Sequence, residues 1–252
     1  MNTFETLGLK PELVKAVSDL GFTQPTPIQE QAIPVLVSGT KDFVGLAQTG
    51  TGKTAAFGLP LLHLIQVHEK YPQALIVCPT RELCLQITSD LQEFSKHLRT
   101  LMVEPVYGGA SITMQIRNLK KGAHIVVATP GRLIDLIERK AIDLNRVSYV
   151  VLDEADEMLN MGFRDDIDFV LKNTVNRDSI WLFSATMPPE VRAISKNYMD
   201  APKEVTVGKV NSGNVNIDHQ YFIIAAHHRY EALKRLIDFN PGMYGIIFTR
   251  TK

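Results

Sequence analysis

The chain has 252 residues, 45% of them hydrophobic and 21% charged, with 27 basic side chains against 27 acidic ones. That length holds one large domain, or one domain with part of another, at an ordinary globular composition. A formal net charge of zero excludes a global positive field as the means of holding a nucleic acid or an acidic membrane, so any polyanion must be gripped by aimed cations and backbone amides.

The first residues, Met1-Asn2-Thr3-Phe4-Glu5, lack the basic-then-apolar pattern of a leader, and no apolar run approaches membrane-spanning length. Both points favour a cytoplasmic protein without a membrane partner. Cys78 lies in an apolar run and Cys84 on a predicted helix. With no metal-ligating partners nearby, they read as buried free thiols of a reducing compartment. Nothing in the sequence demands an oligomer.

In chain order, helices are expected over 11–20, ended by Gly21, and over 27–37, ended near Ser38-Gly39. Strands are expected at 43–46, 74–78, 101–106, 124–128, 147–152 and 180–183, with helices at 54–69, 82–97, 111–120, 131–139, 155–160, 164–173 and 189–198. Runs such as Ile125-Val126-Val127-Ala128 and Tyr149-Val150-Val151-Leu152 are apolar nearly throughout, which calls for cover on both faces. The fold class is therefore α/β, a parallel sheet flanked by helices on both faces, with every strand's carboxyl end on one rim. Asp200 to Val215 reads as an extended polar connector. A strand–helix–strand unit follows at 219–225, 227–239 and 244–249. The expected division is a first domain over 1–205, a linker over 206–216, and the start of a second, truncated domain over 217–252.

Chemistry-bearing residues gather at the predicted strand ends. The apolar strand ending at Leu46 runs into Ala47-Gln48-Thr49-Gly50-Thr51-Gly52-Lys53-Thr54 and a helix. Strand, glycine turn and Lys-Thr at a helix start are the context in which backbone N–H groups cradle phosphates. Lys53 would reach the β- and γ-phosphates and the Thr54 hydroxyl would ligate Mg²⁺. Ala47 stands where the general pattern has glycine, so it must keep a negative φ.

Asp153-Glu154 closes another strand: one carboxylate can hold Mg²⁺, usually through water, while its neighbour polarises the attacking water. Taken alone, that acidic pair also suits an ordinary helix start. Thr80-Arg81 and Thr129-Pro130-Gly131-Arg132 each offer a helix N-terminus, a hydroxyl cap candidate and an arginine. Singly each is an ordinary cap; repeated on one rim they favour a tracked polyanion. Gly108-Gly109 would let a backbone approach closely. Gln29, in the first turn after Pro25-Thr26-Pro27, carries a donor and an acceptor that match adenine, with Phe22 available to stack. Lys120-Lys121 and His227-His228-Arg229 read as solvated helix ends, and Met158, Met161 and Trp181 as core.

The series Gly21-Phe22, Pro25-Thr26-Pro27-Ile28-Gln29, Ala47 to Thr54, Pro79-Thr80-Arg81-Glu82-Leu83, Gly108-Gly109, Thr129-Pro130-Gly131-Arg132, Asp153-Glu154-Ala155-Asp156 and Ser184-Ala185-Thr186 closely resembles the DEAD-box ATP-dependent RNA helicases. The resemblance covers Phe4 to about residue 200, and Ala47 is also what that family carries. It implies a RecA-like domain using ATP and Mg²⁺. Phe22, Gln29 and the loop Gln48, Thr49, Gly50, Thr51, Gly52, Lys53 and Thr54 would hold the nucleotide, with Phe4 bracing the base-reading segment. Asp153 and Thr54 would hold the metal and Glu154 would orient water. Ser184 and Thr186 would couple nucleotide state to unwinding, and Arg81, Gly108, Gly109, Thr129 and Arg132 would contact the RNA backbone.

Ile246 to Thr251 resembles the opening of the family's second domain, whose later arginines this sequence does not contain. The polypeptide alone is therefore expected to bind nucleotide but turn it over barely. Three other readings compete: another P-loop enzyme such as a GTPase, although no Asn-Lys-x-Asp-like stretch is present; a DNA translocase of the same superfamily; and a non-catalytic RNA-binding module.

Overall fold

Seven short strands pair in parallel to form the sheet predicted from the apolar runs, in a computed structural model that describes residues 3–39, 42–208, 218 and 220–249. They are β1 (Phe43–Leu46), β2 (Ala74–Val77), β3 (Val103–Val106), β4 (Ile125–Ala128), β5 (Tyr149–Leu152), β6 (Ser179–Ser184) and β7 (Lys203–Thr206). Their spatial order is β3-β4-β2-β5-β6-β1-β7. The register sets Val77 beside both Ala128 and Leu152, and Leu46 beside Ser184, so the carboxyl ends open at nearly one level. Pro105, which cannot donate to a ladder, sits in the edge strand β3.

Ten helices are described: α1 (Pro11–Asp19), α2 (Pro27–Val37), α3 (Lys53–Leu64), α4 (Arg81–Phe94), α5 (Ile112–Leu119), α6 (Pro130–Glu138), α7 (Ala155–Asn160), α8 (Arg164–Asn173), α9 (Pro189–Tyr198) and α10 (Arg229–Phe239). Strand alternation sends successive side chains to opposite faces. Phe43, Ile76, Val127, Val151, Trp181 and Phe183 pack with α1 to α4 on one side, and Val44, Leu75, Val126, Val150, Ile180 and Leu182 with residues of α6 to α9 on the other. This two-sided burial is what the unbroken apolar runs require. Trp181 is core as expected, and so is Met158; Met161, expected in the core, is 48% exposed just past the end of α7.

Two expectations fail for the same reason, that a strand is defined by its neighbours. Lys203–Thr206 lies inside the segment read as a connector, yet it pairs with β1 as an edge strand. Only Val205 is buried there, so the sequence shows no alternation to read. The Asp42 carboxylate fixes the approach by accepting hydrogen bonds from the amides of Ile180 and Asp200.

The chain divides into two units, Met1–Ser212 and Gly213–Lys252. In the second, α10 forms as expected, but residues 220–225 and 243–249 make no ladder, and Tyr221, Ile223, Tyr244 and Phe248 stand exposed. A lone apolar run has nothing to satisfy its backbone groups or cover its faces. Residues 209–217, most of the expected linker, and His219, Arg250 and Thr251 lie outside the described residues. No described helix is long and apolar enough to cross a membrane.

Candidate active site

β1 empties into the glycine turn. The Ala47 amide donates to the Ser184 carbonyl at 3.0 Å, so the loop begins as one more rung of the ladder. Ala47 is not among the left-handed residues, whereas Gly50 and Gly52 have φ of +80° and +87°, the region glycine enters without steric cost. The Thr51 hydroxyl donates to the Gln48 carbonyl at 2.7 Å, tightening the turn. Lys53 then opens α3. Its side chain is only 6% exposed, and its ammonium has no hydrogen-bond partner among the described residues. A buried cation left bare is costly unless something anionic completes it. It faces a cavity of about 630 Å³, ample for a nucleotide, lined also by Thr49, Thr54, Asp153 and Glu154.

At the other end of this cavity lie Phe22 and Gln29. Thr26 and Gln29 form a capping box at the start of α2: the Thr26 amide donates to Gln29 Oε1 at 2.9 Å. Gln29 Nε2 donates to the Gly52 carbonyl at 3.0 Å, which ties the base-reading segment to the phosphate loop. A carboxamide has two donors and two acceptor positions, so one of each remains for a ligand. A Cβ at Gly52 would collide with that Gln29 nitrogen, a second reason for glycine there. Phe22 is 45% exposed and meets Phe94 edge-on, with centroids 6.4 Å apart. Phe4, in a 3-10 turn over Phe4–Leu7, is buried in the same core as Ile28.

The carboxylate pair follows β5. Burial pushes the Asp153 carboxyl up to about 6, against the lowering pull of nearby Lys53, while Glu154 adds to the rise. Asp153 Oδ1 accepts the Glu154 amide at 3.0 Å. Glu154 itself is left-handed, φ 52° and ψ 49°, a conformation that costs a non-glycine residue about 1–2 kcal/mol. Such strain collects where a side chain has to be aimed.

Asp156 latches this turn to the end of β6. Its Oδ2 accepts both the amide and the hydroxyl of Thr186, at 2.9 and 2.7 Å, while its own amide donates to the buried Ser184 hydroxyl at 3.3 Å. Burial alone would raise the Asp156 carboxyl, but the bonds from Thr186 and Ser184 outweigh it and hold it below its ordinary value.

A shallower cleft of about 460 Å³ opens on the same rim, lined by Arg81, Gly108, Thr129, Arg132 and Phe163. Arg81 stacks over Tyr107 at 4.9 Å, and Gly109, with φ of +81°, leaves room for its guanidinium. Of the two expected hydroxyl caps, Thr80 makes its bond, to the Leu83 amide at 3.2 Å. Thr129 makes none. Arg132 is not a free cation: Nη1 donates to the Ala110 carbonyl at 3.0 Å and to Gln115 Oε1 at 2.9 Å, and Gln115 Nε2 donates onward to the Tyr107 carbonyl at 3.1 Å. Arg132 thereby pins the Gly108-Gly109 turn to α6.

Reading the sequence brought out neither Gln115 nor the latch role of Asp156. It also passed over the α4 face carrying Gln86, Asp90 and Phe94, though the four-residue spacing of these three was there to read.

The comparisons with known proteins agree with this geometry. A family model described as DEAD/DEAH box helicase matches residues 26–194. An ATP-dependent RNA helicase DeaD of Mycobacterium tuberculosis is 46% identical over 99% of this chain and 44% of its own length. A DEAD-box ATP-dependent RNA helicase CshA of Bacillus cereus is 45% identical over the whole chain and 48% of its own length. The chain thus spans about half the length of the curated relatives it matches. The crystal structure of a DEAD box protein from Methanococcus jannaschii superposes with a TM-score of 0.78 at 39% identity, covering 99% of this chain and 67% of that one. With the phosphate loop, the Asp153-Glu154 turn and the Ser184–Thr186 latch on one rim, the chain belongs to the DEAD/DEAH box helicase family.

Proposed function

We propose that this chain is the nucleotide-binding part of an ATP-dependent RNA helicase, coupling ATP binding and hydrolysis to local RNA unwinding or remodelling. The observation that carries the reading is the bare, buried Lys53 ammonium opposite Asp153 in a nucleotide-sized cavity. The glycine-turn amides and Lys53 would hold the β- and γ-phosphates. One buried carboxylate and one hydroxyl, Asp153 and Thr54, fit Mg²⁺, which keeps most of its waters and shares phosphate oxygens with its ligand. When bound, the ion neutralises charge on the triphosphate. Glu154, held out by its left-handed backbone, orients water for attack on the γ-phosphate.

Phe22 stacks on the adenine and Gln29 meets its edge. RNA lies across the second cleft, its sugar-phosphate backbone against Arg81, Gly108, Gly109 and Thr129, while Arg132 shapes the groove. Residues 217–252 are read as belonging to a second RecA-like domain, and the protein as cytoplasmic. No arginine lines the nucleotide cavity among the described residues. Since arginines aimed at a transferring phosphoryl group contribute about 10³–10⁵ in rate, the 252-residue chain is expected to bind ATP and hydrolyse it slowly.

The test is RNA-stimulated ATP hydrolysis by the full-length protein and its Glu154→Gln variant. A fall of about 10³-fold in turnover with ATP affinity kept is expected; unchanged turnover refutes the reading. Equal stimulation by ribose and deoxyribose strands would favour a DNA translocase.

A further inference from the structure

The far wall of the nucleotide cavity is one face of α4, and nothing so far gives that face a task. Gln86, Asp90 and Phe94 follow each other at four-residue steps, each about 6 Å further along the helix axis. The series starts from the phosphate end, where Thr80 and Leu83 line the cavity, and finishes where Phe94 meets Phe22. A nucleotide with its phosphates at Lys53 and its base on Phe22 would lay its ribose between the two, about one helical turn short of Phe94. Asp90 stands at that level.

Its state is unusual. Asp90 is half-buried, lines the cavity, and takes no hydrogen bond or ion pair among the described residues. Burial alone, with no compensating neighbour, pushes its carboxyl up. The Asp90 carboxylate opens into the cavity, so a ligand that displaces the water there has to supply a donor in its place. The neighbouring acids Glu82 and Glu93 are exposed and solvated, so they have no such need.

Resting on the ATP-site reading above, we propose that Asp90 is a specificity-determining residue that accepts a hydrogen bond from a ribose hydroxyl of the bound nucleotide. A carboxylate is acceptor-only when ionised, and a sugar hydroxyl is the donor available at that level; charge assistance makes such a bond stronger than a neutral one. The site would then select ribonucleotides over their deoxy forms. The adenine amine, by contrast, is left to Gln29.

The test is binding of ATP, 2′-deoxy-ATP and 3′-deoxy-ATP to the 252-residue chain and to its Asp90→Ala and isosteric Asp90→Asn variants, followed by fluorescence or calorimetry. In the wild type, the analogue lacking the bonded hydroxyl is expected to bind about tenfold more weakly than ATP. Asp90→Ala should abolish that ratio by weakening ATP alone, leaving the deoxy analogue within about twofold of its wild-type affinity. An unchanged ATP-to-deoxy ratio in both variants overturns the assignment of Asp90 while leaving the ATP site standing. A wild-type chain that binds none of the three nucleotides overturns both.

Discussion

Two clefts share the rim, and they treat their cations in opposite ways. In the deeper one Lys53 is buried with its ammonium bare; in the shallower one Arg132 is spent on Ala110 and Gln115. The first cleft holds a buried ammonium with no hydrogen-bond partner among the described residues, which an anionic ligand would complete. The second is complete as it stands, which makes it a rigid groove with Arg81 and the Thr129 hydroxyl at its surface. On the proposed reading, the first arrangement would suit tight binding of a small anion, and the second a strand that is gripped and released.

The sharpest test exchanges each cation for an apolar side chain of similar length. Lys53→Met is expected to weaken ATP binding about 100-fold while changing the stability of the ligand-free protein by less than about 1 kcal/mol, since the ammonium gives up no hydrogen bond and only its attraction to Asp153 is lost. Arg132→Met should do the reverse: ATP affinity within about twofold, and stability lowered by about 2–3 kcal/mol because Ala110 and Gln115 lose their donor. Chemical denaturation with nucleotide titration decides. Equal destabilisation by both changes would erase the contrast.

A smaller effect is expected at Gly52. Gly52→Ala forces a left-handed alanine and pushes Gln29 from its bond, at a cost of about 1–3 kcal/mol and with loss of preference for adenine over guanine nucleotides. Retained base preference would show that Gln29 reads the base without the loop.

The smallest effect lies outside both clefts, where a charge is paired in full solvent. Hydrogen bonds from His97 and then Lys96 hold the Asp19 carboxyl at about 2. A depressed carboxylate stabilises the fold above its unfolded value of 3.8, and that contribution fades as pH falls through about 2. Melting curves of the wild type and Asp19→Asn should therefore separate above pH 4 and converge below pH 2. A separation that persists in acid would mean the asparagine acts through packing.

Sequence made the sheet and the phosphate loop plain because both rest on local patterns: apolar runs such as Ile125–Ala128, and glycines at fixed offsets before Lys53. Lys53 and Asp153 line one cavity, and Ser184 ends the strand between theirs on the same rim, because parallel strands bring their carboxyl ends to one side. What escaped was set by partners distant in the chain. β7 exists because β1 offers it a ladder; the apolar runs at 220–225 and 243–249 remain unpaired because nothing described beside them does. Arg132 was legible as a cation but not as a spent one, since its acceptors sit 17 and 22 residues away. Met161 had the right composition for the core but falls just past the end of α7, where it stays exposed.

The rung from Ala47 to Ser184 has a mechanical consequence. It welds the mouth of the glycine turn to the strand that leads, through Ser184 and Thr186, into Asp156. A displacement of the turn is therefore shared with the end of β6 and, through Thr186, with Asp156.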